Sequence, residues 1–137
     1  MAAQLVRADR LYGGVPYAYA TVGRPGTVVF TAGACPLDEH GSVVGRGDLR
    51  LQARQVLANL TEALAAAGAT LADVLKTTVY VASADRADLV TVWDVVSAAF
   101  GDHDAPSTLL GVATLGYDGQ LVEVEAVALI SDPEAAD

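Results

Sequence analysis

The chain has 137 residues and a mass of 14.0 kDa, a single domain (1–137) by the ordinary ratio of length to domain count. Apolar residues make up 53% and mean hydropathy is +0.38, which excludes a disordered chain, while no apolar run reaches the ~18 residues of a membrane span. Eight Lys and Arg against seventeen Asp and Glu leave a net charge of −9, which repels phosphate backbones and argues against a nucleic-acid partner.

Residues 1–16 carry no clear pattern, with Gly13, Gly14 and Pro16 as breakers. Tyr17 to Val22 and Thr27 to Ala32 are β-prone runs around Gly23-Arg24-Pro25-Gly26, which predicts a hairpin. The Gly-rich stretch from Gly33 to Gly47 reads as a loop. From Asp48 to Gly68, Leu49, Ala53, Val56, Leu57, Leu60, Ala63, Leu64 and Ala67 recur at the three-and-four spacing of a helix with one buried stripe. Asp48 is placed to cap its start and Gly68 to end it. Thr70 to Asp73 resembles a short capped turn, and Val74 to Ala82 a strand.

A second helix is expected from about Asp85 to Phe100, with Leu89, Val92, Trp93, Val96, Ala99 and Phe100 on its stripe and Gly101 as its stop. After a polar loop to Pro106, Thr108 to Leu115 and Gln120 to Ser131 read as a second hairpin around Gly116-Tyr117-Asp118-Gly119. Asp132 to Asp137 reads as a frayed acidic tail.

The order β-β-α-β-α-β-β predicts an α+β fold, two helices packed on one face of a mixed sheet. In the last strand Val122, Val124, Ala126, Ala128 and Ile130 point one way, and Leu121, Glu123, Glu125, Val127 and Leu129 the other. Both faces are substantially apolar, so the face without helices is expected to be covered by other copies of the chain. The lone Cys35 excludes a disulfide framework or a Cys-rich zinc site. His40 and His103 are too scattered to bind a metal, so no metal or cofactor is expected. The start shows no secretory pattern, which points to a cytoplasmic protein.

Three stretches taken together resemble the RidA/YjgF family of enamine and imine deaminases, many of whose members carry the name endoribonuclease L-PSP. Phe30 to Asp38 is similar to its Gly-Gln-x-Pro-x-Asp region. Gln52, Asn59, Leu60, Leu64 and Ala67-Gly68-Ala69, then Asp73-Val74 and Lys76 to Val81, are similar to its helix and strand core. Leu121 to Ala128 is similar to its C-terminal Val-Glu-Ile-Glu-Ala strand. The resemblance spans roughly residues 15–130. It implies a chorismate-mutase-like fold, a homotrimer with a central barrel, and small-molecule clefts between subunits.

In that family an Arg in a Pro-Ala-Arg-Ser motif grips the substrate carboxylate through a two-pronged hydrogen bond that Lys does not reproduce. A Glu places water. The resemblance puts Glu123 at the Glu position and Ser107 at that of the Arg, with neither Arg24 nor Lys76 taking over the grip by position. Ala34 stands for the Gln, Trp93 for a polar residue of the second helix, and Tyr17 for an aromatic near the cleft. Loss of the grip predicts a substrate other than a simple 2-imino acid, with Ser107 and Thr108 offering hydroxyls and Tyr17 or Trp93 a stacking face. The catalytic candidate is Glu123; Tyr17, Ala34, Cys35, Trp93, Ser107 and Thr108 are the binding candidates.

Each candidate also has a plain reading. Glu123 is either a cleft acid or a hydrogen-bonded interface carboxylate. Cys35 is either a reactive thiol or a small buried hydrophobe. Ser107 as a nucleophile needs a base, for which His103 stands four residues away; the plain alternative is a solvated loop histidine. Trp93 is either core or a ligand platform. The functional alternatives are a deaminase-like hydrolase, a non-catalytic trimeric binding module and, disfavoured by the charge, a ribonuclease.

Overall fold

Helical periodicity and capping are realised as the sequence predicts. In the computed structural model, which describes residues 3–133, α1 spans Leu49–Ala66 and buries Ala53, Val56, Leu57, Leu60 and Leu64 along one stripe. Asp48 Oδ1 accepts the Leu51 amide at 3.0 Å and caps its start. Gly68, at φ +86°, takes the left-handed turn past its end. The short turn follows as a 3-10 helix, Leu71–Asp73, in which Asp73 Oδ2 accepts the Thr70 amide at 2.8 Å. α2 spans Arg86–Phe100 and is capped by Asp85 on the Ala87 amide at 2.9 Å.

The strands are β1 (Ala3–Val6), β2 (Ala20–Gly23), β3 (Gly26–Phe30), β4 (Val74–Val81), β5 (Ser107–Gly111) and β6 (Val122–Ser131). The main sheet runs β3-β6-β4-β5, antiparallel except for the parallel β4–β5 pair. Two helices on this mixed sheet give the α+β architecture that the sequence predicts.

Neither expected hairpin forms. β2 pairs with β1 in a separate two-stranded sheet, while β3 pairs with β6. β1 escaped the sequence reading because it is four residues long and precedes a run of breakers. Gly26 lies so close to β6 that a Cβ there would stand 2.2 Å from the Ile130 carbonyl oxygen, which holds β3 to that strand. At the other end, β5 returns from α2 parallel to β4, as a crossover helix requires. β6 passes to the far side of β4 and becomes a central strand, where apolar residues on both faces are the rule. Of the acidic tail, residues 134–137 lie outside the described residues.

Val74, Val79 and Val81 of β4 and Val122, Val124, Ala126 and Ala128 of β6 form the core with the α1 stripe and Val92 and Val96 of α2. Alternation and register turn Lys76, Thr78, Tyr80, Thr108, Leu110, Glu123, Glu125 and Val127 to the opposite, helix-free face. Val28 and Phe30 of β3 share it, with Phe30 77% exposed.

One fully buried polar side chain ties the helical layer to the start of β6. Gln52 of α1 accepts the Leu121 amide at 2.7 Å and donates to the Gly119 carbonyl at 2.9 Å and the Gly45 carbonyl at 3.3 Å. Gln52→Leu keeps the volume but orphans these buried groups. It is expected to cost roughly 2–4 kcal/mol in urea unfolding; a loss below about 0.5 kcal/mol would show that the three bonds are not what holds this segment.

Candidate functional site

Glu123 lies on the helix-free face of β6, and the chain after β3 is brought against it by two backbone bonds. The Ala34 amide donates to the Val124 carbonyl at 2.7 Å, and the Val124 amide to the Ala34 carbonyl at 3.2 Å. Asn59 of α1 grips the same loop from behind, donating to the Cys35 carbonyl at 2.8 Å and the Leu37 carbonyl at 2.9 Å. Cys35 is thereby set beside Glu123, and its thiol donates to Oε1 at 3.2 Å. Gln120 Nε2 donates to the same oxygen, also at 3.2 Å. The other oxygen faces Gly33, where a Cβ would stand 2.4 Å from Oε2. Glycine is needed there for space beside the carboxylate rather than for a left-handed backbone.

Burial, together with the hydrogen bond and negative charge of Glu123, pushes the Cys35 thiol up to about 11. The electropositive surroundings that would make it a reactive thiolate are replaced by a carboxylate, and Cys35 acts as a neutral donor. Ala34 spends its amide on the sheet, so it shapes the site through its backbone and presents no free amide to a ligand. Glu125 has its own partner in Tyr80, whose hydroxyl donates to Oε1 at 2.5 Å; the carboxylate holds that phenol above the ordinary tyrosine range.

A second cluster forms on the opposite side of the sheet. Tyr17, Trp93 and Ser107, with Pro16 and Leu109, line a depression of about 360 Å³ beside β5. Trp93 also packs against the core, which fits its plain reading. Tyr17 meets Tyr19 edge to face at 5.9 Å. Ser107 pairs with Thr77, whose hydroxyl donates to Ser107 Oγ at 2.7 Å. His103 is no base for it and no solvated loop residue either: the part-buried ring stacks on Phe100, and Nε2 donates to the Val74 carbonyl at 2.7 Å.

Within one chain, then, Glu123 and Cys35 come together, and Tyr17, Trp93 and Ser107 come together, on opposite faces of one sheet. Thr108, one residue past Ser107, turns to the Glu123 side. It also lies two residues past Pro106, as the Arg does past the Pro of Pro-Ala-Arg-Ser, so Thr108 rather than Ser107 occupies the Arg position. Lys76 Nζ donates to Thr108 Oγ1 at 2.6 Å, and burial holds the ammonium below the ordinary lysine range. Lys76 thus places an ammonium beside Thr108, a point charge on a flexible stem.

Gln120 and Lys76 are the residues that sequence reasoning missed. Gln120 opens the strand expected from sequence but precedes β6 in the structure; its one signal is a spacing of three before Glu123. Lys76 was hidden by its place in a strand, although the alternation shared with Tyr80 puts it on the face of Glu123. A larger groove of about 520 Å³ between α1 and α2, lined by Arg50, Arg54, Leu57, Asp94, Val95, Ala98 and Ala99, contains none of the predicted site residues. Among the described residues no group of three or more His, Cys, Asp or Glu is arranged to hold a metal.

Residues 9–130 match the family model described as Endoribonuclease L-PSP. The chain is 36% identical over 107 residues to the 2-iminobutanoate/2-iminopropanoate deaminase of Salmonella typhimurium, covering 76% of this chain and 80% of that one. Among solved structures it is similar to YyfB of the conserved Rid protein family from Yersinia pestis, with TM-score 0.89 and 33% identity over 95% of this chain and 100% of that one. It is also similar to Escherichia coli TdcF with bound serine, with TM-score 0.67 and 30% identity over 93% and 99%.

A thiol that ionises near 11 is about one part in 10⁴ thiolate at neutral pH. Alkylation of Cys35 by iodoacetamide is therefore expected to be very slow at neutral pH and to accelerate up to about pH 11. A rate already level below pH 9 would contradict the carboxylate contact.

Proposed function

Because the chain belongs to the endoribonuclease L-PSP family, that of the Rid and YjgF proteins, we propose that it is a hydrolase of enamines, imines or related reactive small molecules, working in clefts between the copies of a homotrimer. The observation that carries this reading is the state of Glu123: one oxygen is taken up by two donors, and the other, seated against Gly33, is paired with no donor among the described residues. A carboxylate so held is suited to orient a water and take its proton. The water oxygen adds to the imine carbon and the nitrogen is protonated. The carbinolamine then collapses to a carbonyl compound and ammonia, so that imine and water are converted with no further reactant.

Two features support a site shared between copies. The helix-free face bears the exposed side chains of Val28, Phe30 and Leu110, an apolar surface suited to burial. The Tyr17–Trp93–Ser107 depression and the Glu123 cluster lie on opposite faces of one sheet, so a neighbouring copy is needed to bring an aromatic wall to a carboxylate. The homologous deaminase and the serine-bound relative favour a ligand derived from an amino acid.

The pairing of Lys76 with Thr108 supplies a cation without the planar fork of Arg, so carboxylate recognition is expected to be weak and simple 2-imino acids not the favoured substrates. Replacement of the Arg by Thr108 also favours a second reading, a trimer that binds a metabolite without turning it over. The net charge of −9 supports neither RNA cleavage nor RNA binding. No described helix is long and apolar enough to cross a membrane; the cytoplasmic location proposed from sequence goes with this metabolic reading.

Imines generated in situ by an amino-acid oxidase, and neutral imines made by condensation, provide the test. The protein is expected to accelerate ammonia release from both, with a preference for the carboxylated imine below about tenfold. Glu123→Gln is expected to lower the rate by roughly 10²-fold or more. No acceleration with either class, together with stoichiometric metabolite binding in calorimetry, would replace the hydrolase by the binding module.

A further inference from the structure

We propose that Cys35 and Gln120 are positioning residues that fix the orientation of the Glu123 carboxylate, so that one oxygen is held by the two donors and the other is left to meet the attacking water. The proposal rests on the hydrolase reading above and adds to it two residues and the way the carboxylate is aimed.

The lock is asymmetric. Both donors, the Cys35 thiol and Gln120 Nε2, point at Oε1 at 3.2 Å, and among the described residues no donor is paired with Oε2. Gln120 is 4% exposed and has no freedom to turn its amide over. Its Nε2 also donates to the Val122 carbonyl at 3.1 Å, and its Oε1 accepts the Tyr117 amide at 3.1 Å, so a flipped amide would lose all three bonds. Gln52 holds the neighbours on either side through Gly119 and Leu121.

Cys35 is equally fixed. Asn59 holds its carbonyl, and the Ala34–Val124 bridge holds the residue before it. The thiol stays protonated across the range in which imines are hydrolysed, so it remains a donor. Gly33 limits the position of Oε2 on its own side, because its missing Cβ leaves room for that oxygen and little more. A glutamate on an open sheet face otherwise turns freely about its outer torsion, and a carboxylate turned part-way aims neither oxygen at the water.

The experiment compares Cys35→Ala, Cys35→Ser and Gln120→Leu by steady-state kinetics, with ultraviolet titration of the thiolate in native protein and Glu123→Gln. Cys35→Ala and Gln120→Leu are each expected to lower kcat roughly 5- to 20-fold with KM unchanged, since neither side chain need touch the substrate. Cys35→Ser retains an O–H donor and is expected to recover most of what Cys35→Ala loses. In Glu123→Gln the thiol is expected to ionise at lower pH than in the native protein, because a repelling charge has gone.

A Cys35→Ala enzyme with native kcat, a serine variant no better than the alanine one, or a rise confined to KM would overturn the lock. A thiol that shifts in a protein hydrolysing no imine sinks the hydrolase reading and leaves the locked carboxylate standing. An unshifted thiol in an active enzyme sinks the lock and leaves the hydrolase.

Discussion

The alternation of β6 holds the molecule together and defines its chemistry at once. Val122, Val124, Ala126 and Ala128 point into the helical layer and are buried. The residues between them, Glu123, Glu125 and Val127, point to the helix-free face. A one-residue slip in register would bury two carboxylates in the core and expose the valines, so the apolar contacts that stabilise the sheet also fix the position of Glu123. The strand is central, paired on both edges by β3 and β4, which leaves it little freedom to slip.

Around that carboxylate the electrostatics are those of neutral donors. A thiol and a primary amide hold one oxygen, where a cation would have bound the carboxylate more strongly and weakened it as a base. The cation of the same face, Lys76, is engaged with Thr108 instead. The proposed hydrolysis would use this separation of base and cation, with Glu123 taking a proton from water and Lys76 steadying a polar ligand. The separation also explains the absence of a reactive cysteine: Cys35 is useful here because it stays protonated.

Much of the fold was legible because it follows from short-range rules. The stripes of α1 and α2, the Asp48 cap and the Thr70–Asp73 turn all appear where side-chain spacing puts them. Strand pairing was not legible, since the turn residues between β2 and β3 and between β5 and β6 look like hairpins locally. The true partners are set by a crossover helix and by which strand needs cover on two faces. The site divides in the same way. Glu123 was readable from the alternation of β6 and the family pattern. Ser107, set at the Arg position by the resemblance, lies on the face opposite Glu123, while its neighbour Thr108 lies on the same face as Glu123. Gln120 and Lys76 are harder to read: a spacing of three before Glu123 marks the first only weakly, and the second meets Thr108 32 positions away.

The central claim is that the helix-free face, with Phe30 standing 77% exposed in the isolated chain, is covered by two further copies and that the site forms along those seams. Sedimentation equilibrium at micromolar concentration measures this directly. A single species of three times the 14.0 kDa chain mass, unchanged by high salt as an apolar contact should be, is the predicted result. A stable particle of one chain mass would contradict it.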